Sequence, residues 1–149
     1  MKKNIKKRIV QLSFLGLILC VLTFLYVLPE IKFLFLKWKF NAAGGALIFR
    51  EKLYDLKTTL LDSTYGLVRF PELDLPVEHP LHKLQPQLIS LKSYESGITY
   101  YHIQMSGGFN HVGYLVFEST NKIPTTIRLG QNGSWKVKYI GDGVFVYQE

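Results

Sequence analysis

The sequence holds one cysteine, Cys20, in 149 residues. No intrachain disulfide can form, so packing alone must hold the fold, even in an oxidising compartment. The context of Cys20 also differs from that of a lipid-modified cysteine, because Leu17-Ile18-Leu19 precedes it and apolar residues follow. There is no glycine-rich phosphate loop, no Gly-x-Ser-x-Gly, no His-Glu-x-x-His and no paired-cysteine motif, so the common nucleotide, hydrolase and zinc signatures are missing. Charge of one sign is missing too, once position is considered. The formal charge is +7, but residues 1 to 40 carry eight Lys and Arg against one Glu, and residues 41 to 149 carry ten against ten. A neutral domain has no electrostatic footprint for phosphates, and nucleic acid is excluded as an expected partner.

What is present begins with a long apolar run. Ile9 to Leu28 contains no charge and follows Lys2, Lys3, Lys6, Lys7 and Arg8. Its twenty residues would span about 30 Å as a helix, the thickness of a bilayer's hydrocarbon core. One transmembrane helix is therefore expected. Five basic residues before it outnumber Lys32, Lys37 and Lys39 after it, which places the N-terminus in the cytoplasm and the remainder outside, in a single-pass protein of the cell membrane. Phe24 to Pro29 offers no pair of small residues for a signal peptidase, so the segment reads as a retained anchor. Pro29 leaves open whether the helix continues past it. The following segment, Ile31 to Phe40, mixes aromatic and basic residues. Lys37, Trp38 and Lys39 suit a membrane interface, with the indole among headgroups and the amines on phosphates.

Residues 41 to 149 have room for one small domain with one core. Ala46, Phe49, Leu53, Leu56 and Leu60 form one apolar stripe, which predicts an amphipathic helix from about 44 to 62, with Asn41 as a candidate cap and Gly66 past its end. Four of the six prolines, Pro71, Pro76, Pro80 and Pro86, make residues 70 to 90 a connector. Residues 97 to 148 read as a five-stranded antiparallel sheet. Gly97 to Ser106 and Val112 to Ser119 form a hairpin around Gly107-Gly108-Phe109-Asn110, and Asn132-Gly133 and Asp142-Gly143 divide the remainder as type I′ turns. That turn register pairs Gly130 with Trp135, Tyr139 with Val146 and Lys136 with Glu149. It places Trp135, Val137, Tyr139, Val144 and Val146 on one face, against the helix stripe. The other face takes Lys136, Lys138, Phe145, Tyr147 and Glu149. The expected fold class is α+β, with a transmembrane helix and then a helix laid across the sheet.

Candidate chemistry is sparse. His79 and His82 make a His-x-x-His pair, but Pro80 between them opposes the helical spacing a metal would need. His102 and His111 lie across the first hairpin with Tyr100, Tyr101 and Glu118 nearby, which is half of a zinc site at most; the expectation is that both histidines are structural. No catalytic residue, cofactor or metal is assigned. Asn132-Gly133-Ser134 matches a glycosylation acceptor, though its turn role comes first. Tyrosines concentrate between Tyr94 and Tyr147, and Lys136, Lys138, Phe145 and Tyr147 are the candidate partner surface. The order of basic tail, span, amphipathic helix and terminal sheet is similar in layout to pilin-like subunits, without their leader glycine or the glutamate inside the span. The reading is a non-enzymatic, membrane-anchored interaction or envelope-assembly module, contacting another membrane or extracytoplasmic protein or forming a homo-oligomer. The alternative is a membrane-tethered enzyme or metal-dependent protein using His102 and His111.

Overall fold

The computed structural model describes residues 2–63, 66–94, 97–106, 111–121, 123–124, 127 and 135–148. The chain divides into two compact units, Met1–Phe35 and Leu36–Glu149. The first is helical. Helix α1 runs Lys2–Leu22, a wide π-helical turn follows at Thr23–Val27, and α2 takes Leu28–Ala42, which extends into the second unit. The wide turn has a local cause: Pro29 has no N–H to offer the carbonyl four residues earlier, and the ladder loosens there. The Thr23 hydroxyl donates to the Leu19 carbonyl at 2.9 Å, just before the irregularity.

This corrects the expectation of a transmembrane helix over Ile9 to Leu28. Among the described residues, no helix is long and apolar enough to cross a membrane. Helix α1 includes the basic N-terminal residues and ends at Leu22, and the apolar run is shared between it, the wide turn and the start of α2.

In the second unit, α3 (Gly45–Asp55) and α4 (Lys57–Asp62) realise the predicted amphipathic helix. It is broken at Leu56, whose N–H turns to the Leu53 carbonyl at 3.1 Å. Gly44, at φ 131°, starts α3 in place of the expected Asn41, because α2 continues to Ala42 and leaves a tight corner that only glycine turns cheaply. The connector holds a 3-10 turn at Phe70–Glu72 and a short α5 (Pro80–Leu84).

Among the described residues the sheet has six strands in the order β1-β2-β3-β4-β6-β5, all antiparallel. They are β1 (Leu67–Arg69), β2 (Leu88–Tyr94), β3 (Ile98–Ser106), β4 (Val112–Phe117), β5 (Lys136–Gly141) and β6 (Val144–Gln148). Strand β1 precedes the stretch expected to be connector, and β2 begins inside it. The predicted Asn132-Gly133 turn, the Gly130 partner of Trp135, Glu149 and the Gly107–Asn110 loop lie outside the described residues.

Pairing sorts the side chains into two faces. Val68, Ile89, Ile103, Tyr114, Val146 and Lys138 form one cross-strand row. This face meets the helices: Phe40 of α2 stacks on Phe49 of α3 at 4.6 Å and lies 4.9 Å from Tyr114. The stripe residues Phe49, Leu53, Leu56 and Leu60 are buried, as expected. The opposite face has its own core of Tyr100, Leu115, Phe117, Ile127, Phe145 and Tyr147, with Ile123, Trp135 and Val137 packed on it. Both faces of β4 and β6 are therefore buried.

The Asp142-Gly143 turn forms with positive φ at both residues, 48° and 73°, as a type I′ turn needs. The register beyond it differs from the expected one. An irregularity between Tyr139 and Gly141 pairs Tyr139 with Phe145, Val137 with Tyr147, Lys138 with Val146 and Lys136 with Gln148. One extra residue in β5 exchanges its faces relative to β6. Trp135 and Val137 consequently pack on the face away from the helices.

Candidate functional site

Two consecutive rows of the second face carry His102 and Gln104, the partner of His111. One runs Leu67, Ser90, His102, Leu115, Phe145, Tyr139; the next runs Arg69, Leu88, Gln104, Gly113, Tyr147, Val137. Gly113 opens the second row. A Cβ there would meet the Ile103 carbonyl oxygen, and the Tyr147 hydroxyl at 2.8 Å. Tyr147 therefore lies across the bare backbone and shares a 2.7 Å hydrogen bond with His102 Nε2. The ring of Trp135 stacks on Tyr147 at 5.1 Å. His111 is held separately, its Nδ1 accepting from the Gln104 side-chain amide at 2.7 Å.

Burial, then the electrostatic effect of Lys92 and His111, lowers the His102 pKa from 6.5 to about 4. It is neutral at ordinary pH and hydrogen-bonded to Tyr147. The other expected members do not join it. Tyr101 and Glu118 bond each other on the helix side, the hydroxyl donating to Glu118 Oε1 at 3.1 Å, with Lys57 Nζ at 2.8 Å from the same oxygen. Burial alone would raise the Glu118 carboxyl, but hydrogen bonds from Lys57, Thr99 and Tyr101 hold it below the usual range. Tyr100 stacks on Phe117 at 5.3 Å. The sheet thus separates the carboxylate from His102.

The His79 and His82 pair is also taken up structurally. His79 Nδ1 accepts the Leu81 N–H at 3.3 Å and caps α5, while His82 Nε2 lies 3.2 Å from the Leu75 carbonyl. Among the described residues no group of three or more His, Cys, Asp and Glu could hold a metal ion.

The candidate partner surface is rearranged. Phe145 and Tyr147 are 4% and 0% exposed, so they cannot anchor a partner; the register of β5 sets Tyr139 beside Phe145, and Trp135 and Val137 beside Tyr147. Lys136 and Lys138 are exposed, on the opposite face. Of the membrane-interface residues, Lys37 and Trp38 are exposed, whereas Lys39 Nζ donates to the Leu84 carbonyl at 3.1 Å and ties α2 to α5. A tie of the same kind that the sequence did not suggest is Arg50, whose Nε donates to the Phe117 carbonyl at 2.8 Å. The signal in the sequence for the Tyr147 bond is Gly113, since a lone glycine within a strand marks close approach of another group.

The neutral burial of His102 has a pH consequence. Its folded-state pKa lies below its unfolded value, so the unfolded chain binds the extra proton and stability falls as pH drops from about 6.5 towards 4. The expected loss is about 2 to 3 kcal/mol across that window. Urea titrations near pH 7 and near pH 4 check it, and a His102→Gln chain should lose much less over the same interval. An equal loss in both chains would assign the effect to other groups.

Comparison of the chain with protein-family models, with curated proteins and with solved structures gives no match.

Proposed function

We propose that this protein is a non-enzymatic, membrane-attached interaction module: a helical apolar segment fixes it to the cell membrane and the α+β unit contacts another membrane or extracytoplasmic protein. The observation that carries the reading is the exposed apolar surface of the first unit. Leu12, Phe14, Leu15, Leu17, Leu19 and Phe24 are each more than 60% exposed. They fall on every side of the helical segment. A surface apolar all round has its natural solvent in lipid. The Lys and Arg that precede the segment add attraction to anionic headgroups at the membrane surface. The non-enzymatic part rests on the histidines, each of which is engaged by a structural partner.

Fractionation tests the attachment. The wild-type chain should stay with membranes through alkaline carbonate washing, and Leu15→Lys with Leu19→Lys should move it to the wash, because each charge costs about 3 kcal/mol in the hydrocarbon. Recovery of the wild-type chain in the wash would refute attachment. Cross-linking of wild-type membranes followed by purification tests the interaction, and absence of any specific partner or self-adduct would refute it.

A further inference from the structure

The second face of the sheet is apolar over β4, β6 and β5, where Ile123 and Ile127 pack on it. Towards β1 it turns polar. Arg69, at the end of this edge strand, is exposed and follows the row Gly113, Gln104, Leu88 outwards. Beside it the chain leaves β1 through Pro71 and re-enters β2 through Pro86, which hold a cleft of about 360 Å³ lined by Arg69, Pro71, Pro86, Gln87 and Leu88. Two backbone hydrogen bonds fix its frame, Phe70 N–H to the Gln87 carbonyl at 3.1 Å and Gln87 N–H to the Gln104 carbonyl at 2.8 Å.

The cleft carries one charge. The Arg69 guanidinium forms no ion pair among the described residues. No carboxylate is among the residues that line the cleft. Lys92 is exposed on the same face of β2, which adds a second positive charge to this side. Gln87 contributes a side-chain amide that can donate, and the prolines with Leu88 give an apolar wall for an aliphatic stem. An arginine fork matches a carboxylate in two parallel bonds, a geometry lysine cannot reproduce.

We propose that this cleft is a carboxylate-binding site for an acidic, extended segment of a protein partner, with Arg69 holding a Glu or Asp side chain and Gln87 supplying a second donor. The assignment rests on the reading of the chain as a protein-interaction module.

The test uses the full-length chain in uncharged detergent with arginine and glutamine side-chain nitrogens labelled for NMR. The probe is acetyl-Ala-Glu-Glu-Ala-amide, and acetyl-Ala-Gln-Gln-Ala-amide is the uncharged control. The acidic peptide should shift the Arg69 Nε–H and Gln87 amide signals saturably, while the control should not. Arg69→Lys should weaken binding about tenfold through loss of the fork, and Arg69→Gln should remove it. Because Arg69 is exposed, both variants should melt with the wild type. Absence of a saturable shift, an equal response to the control, retention of binding in Arg69→Gln, or inorganic phosphate binding as tightly as the acidic peptide would each overturn the site. Partners still cross-linked by an Arg69→Gln chain would overturn this site alone, whereas no partner for the wild type would overturn the interaction reading beneath it.

Discussion

Gly113→Ala is expected to destabilise the α+β unit by about 3 kcal/mol or more, lowering its melting temperature by on the order of 15 °C. The new methyl group would be driven into the Ile103 carbonyl of the neighbouring strand, and would also lie 2.8 Å from the Tyr147 hydroxyl and 2.9 Å from its Cε1. A side chain can turn away; a backbone carbonyl inside a six-stranded sheet cannot do so without breaking the ladder. Moving Tyr147 would also release His102 from its 2.7 Å bond and unstack Trp135. The two obstacles can be separated by making Gly113→Ala in a Tyr147→Leu background. If the carbonyl dominates, alanine costs nearly as much there as in the wild type. A Gly113→Ala chain that melts with the wild type would show that the strand can shift aside, and that the glycine is not required.

The same position shows where sequence reasoning reaches its limit. The stripe of Phe49, Leu53, Leu56 and Leu60 is legible because a helix repeats its buried face every three or four residues, and all four are buried. The type I′ turn at Asp142-Gly143 is legible because few residue pairs tolerate two positive φ angles. The faces of β5 are not. Turn chemistry sets the pairing only next to the turn, and the irregularity after Tyr139 exchanges everything beyond it. Ideal turn geometry therefore puts Phe145 and Tyr147 on an outer surface, although they are core. The β1 and β2 strands are hidden for a different reason: the prolines that mark a connector lie around them, while Leu67–Arg69 and Leu88–Tyr94 contain none. The place of His102 on a strand is legible, but its partner Tyr147 is signalled only indirectly, by the lone glycine in β4 over which the bond passes. The Arg69 cleft depends on bringing Pro71 beside Pro86 and leaves no local signature.

Phe49→Ala is expected to cost about 3 to 5 kcal/mol, a large part of what holds a domain of this size. Phe49 is completely buried, and its ring stacks on Phe40 at 4.6 Å with an interplanar angle of 23°. Phe40 in turn lies 4.9 Å from Tyr114, whose hydroxyl donates to the Leu36 carbonyl at 2.9 Å. Three elements, α2, α3 and β4, thus share one aromatic column closed by a buried hydrogen bond. Removing a ring from such a column leaves a cavity that its neighbours cannot fill without breaking their own contacts. The loss should also be coupled: Phe40→Leu should cost less by about 1 kcal/mol in the Phe49→Ala background than in the wild type, because the ring it stacked on is already gone. Leu47→Ala is the matched control, since Leu47 lies on the same helix but is 78% exposed, and it should change stability by less than about 0.5 kcal/mol. Urea titrations of the wild type, the three single variants and the double variant give the result. Equal small losses for Phe49→Ala and Leu47→Ala would mean that α3 does not pack on the sheet through this stripe. A large Phe49 loss without coupling to Phe40 would keep the packing but remove the column as its cause.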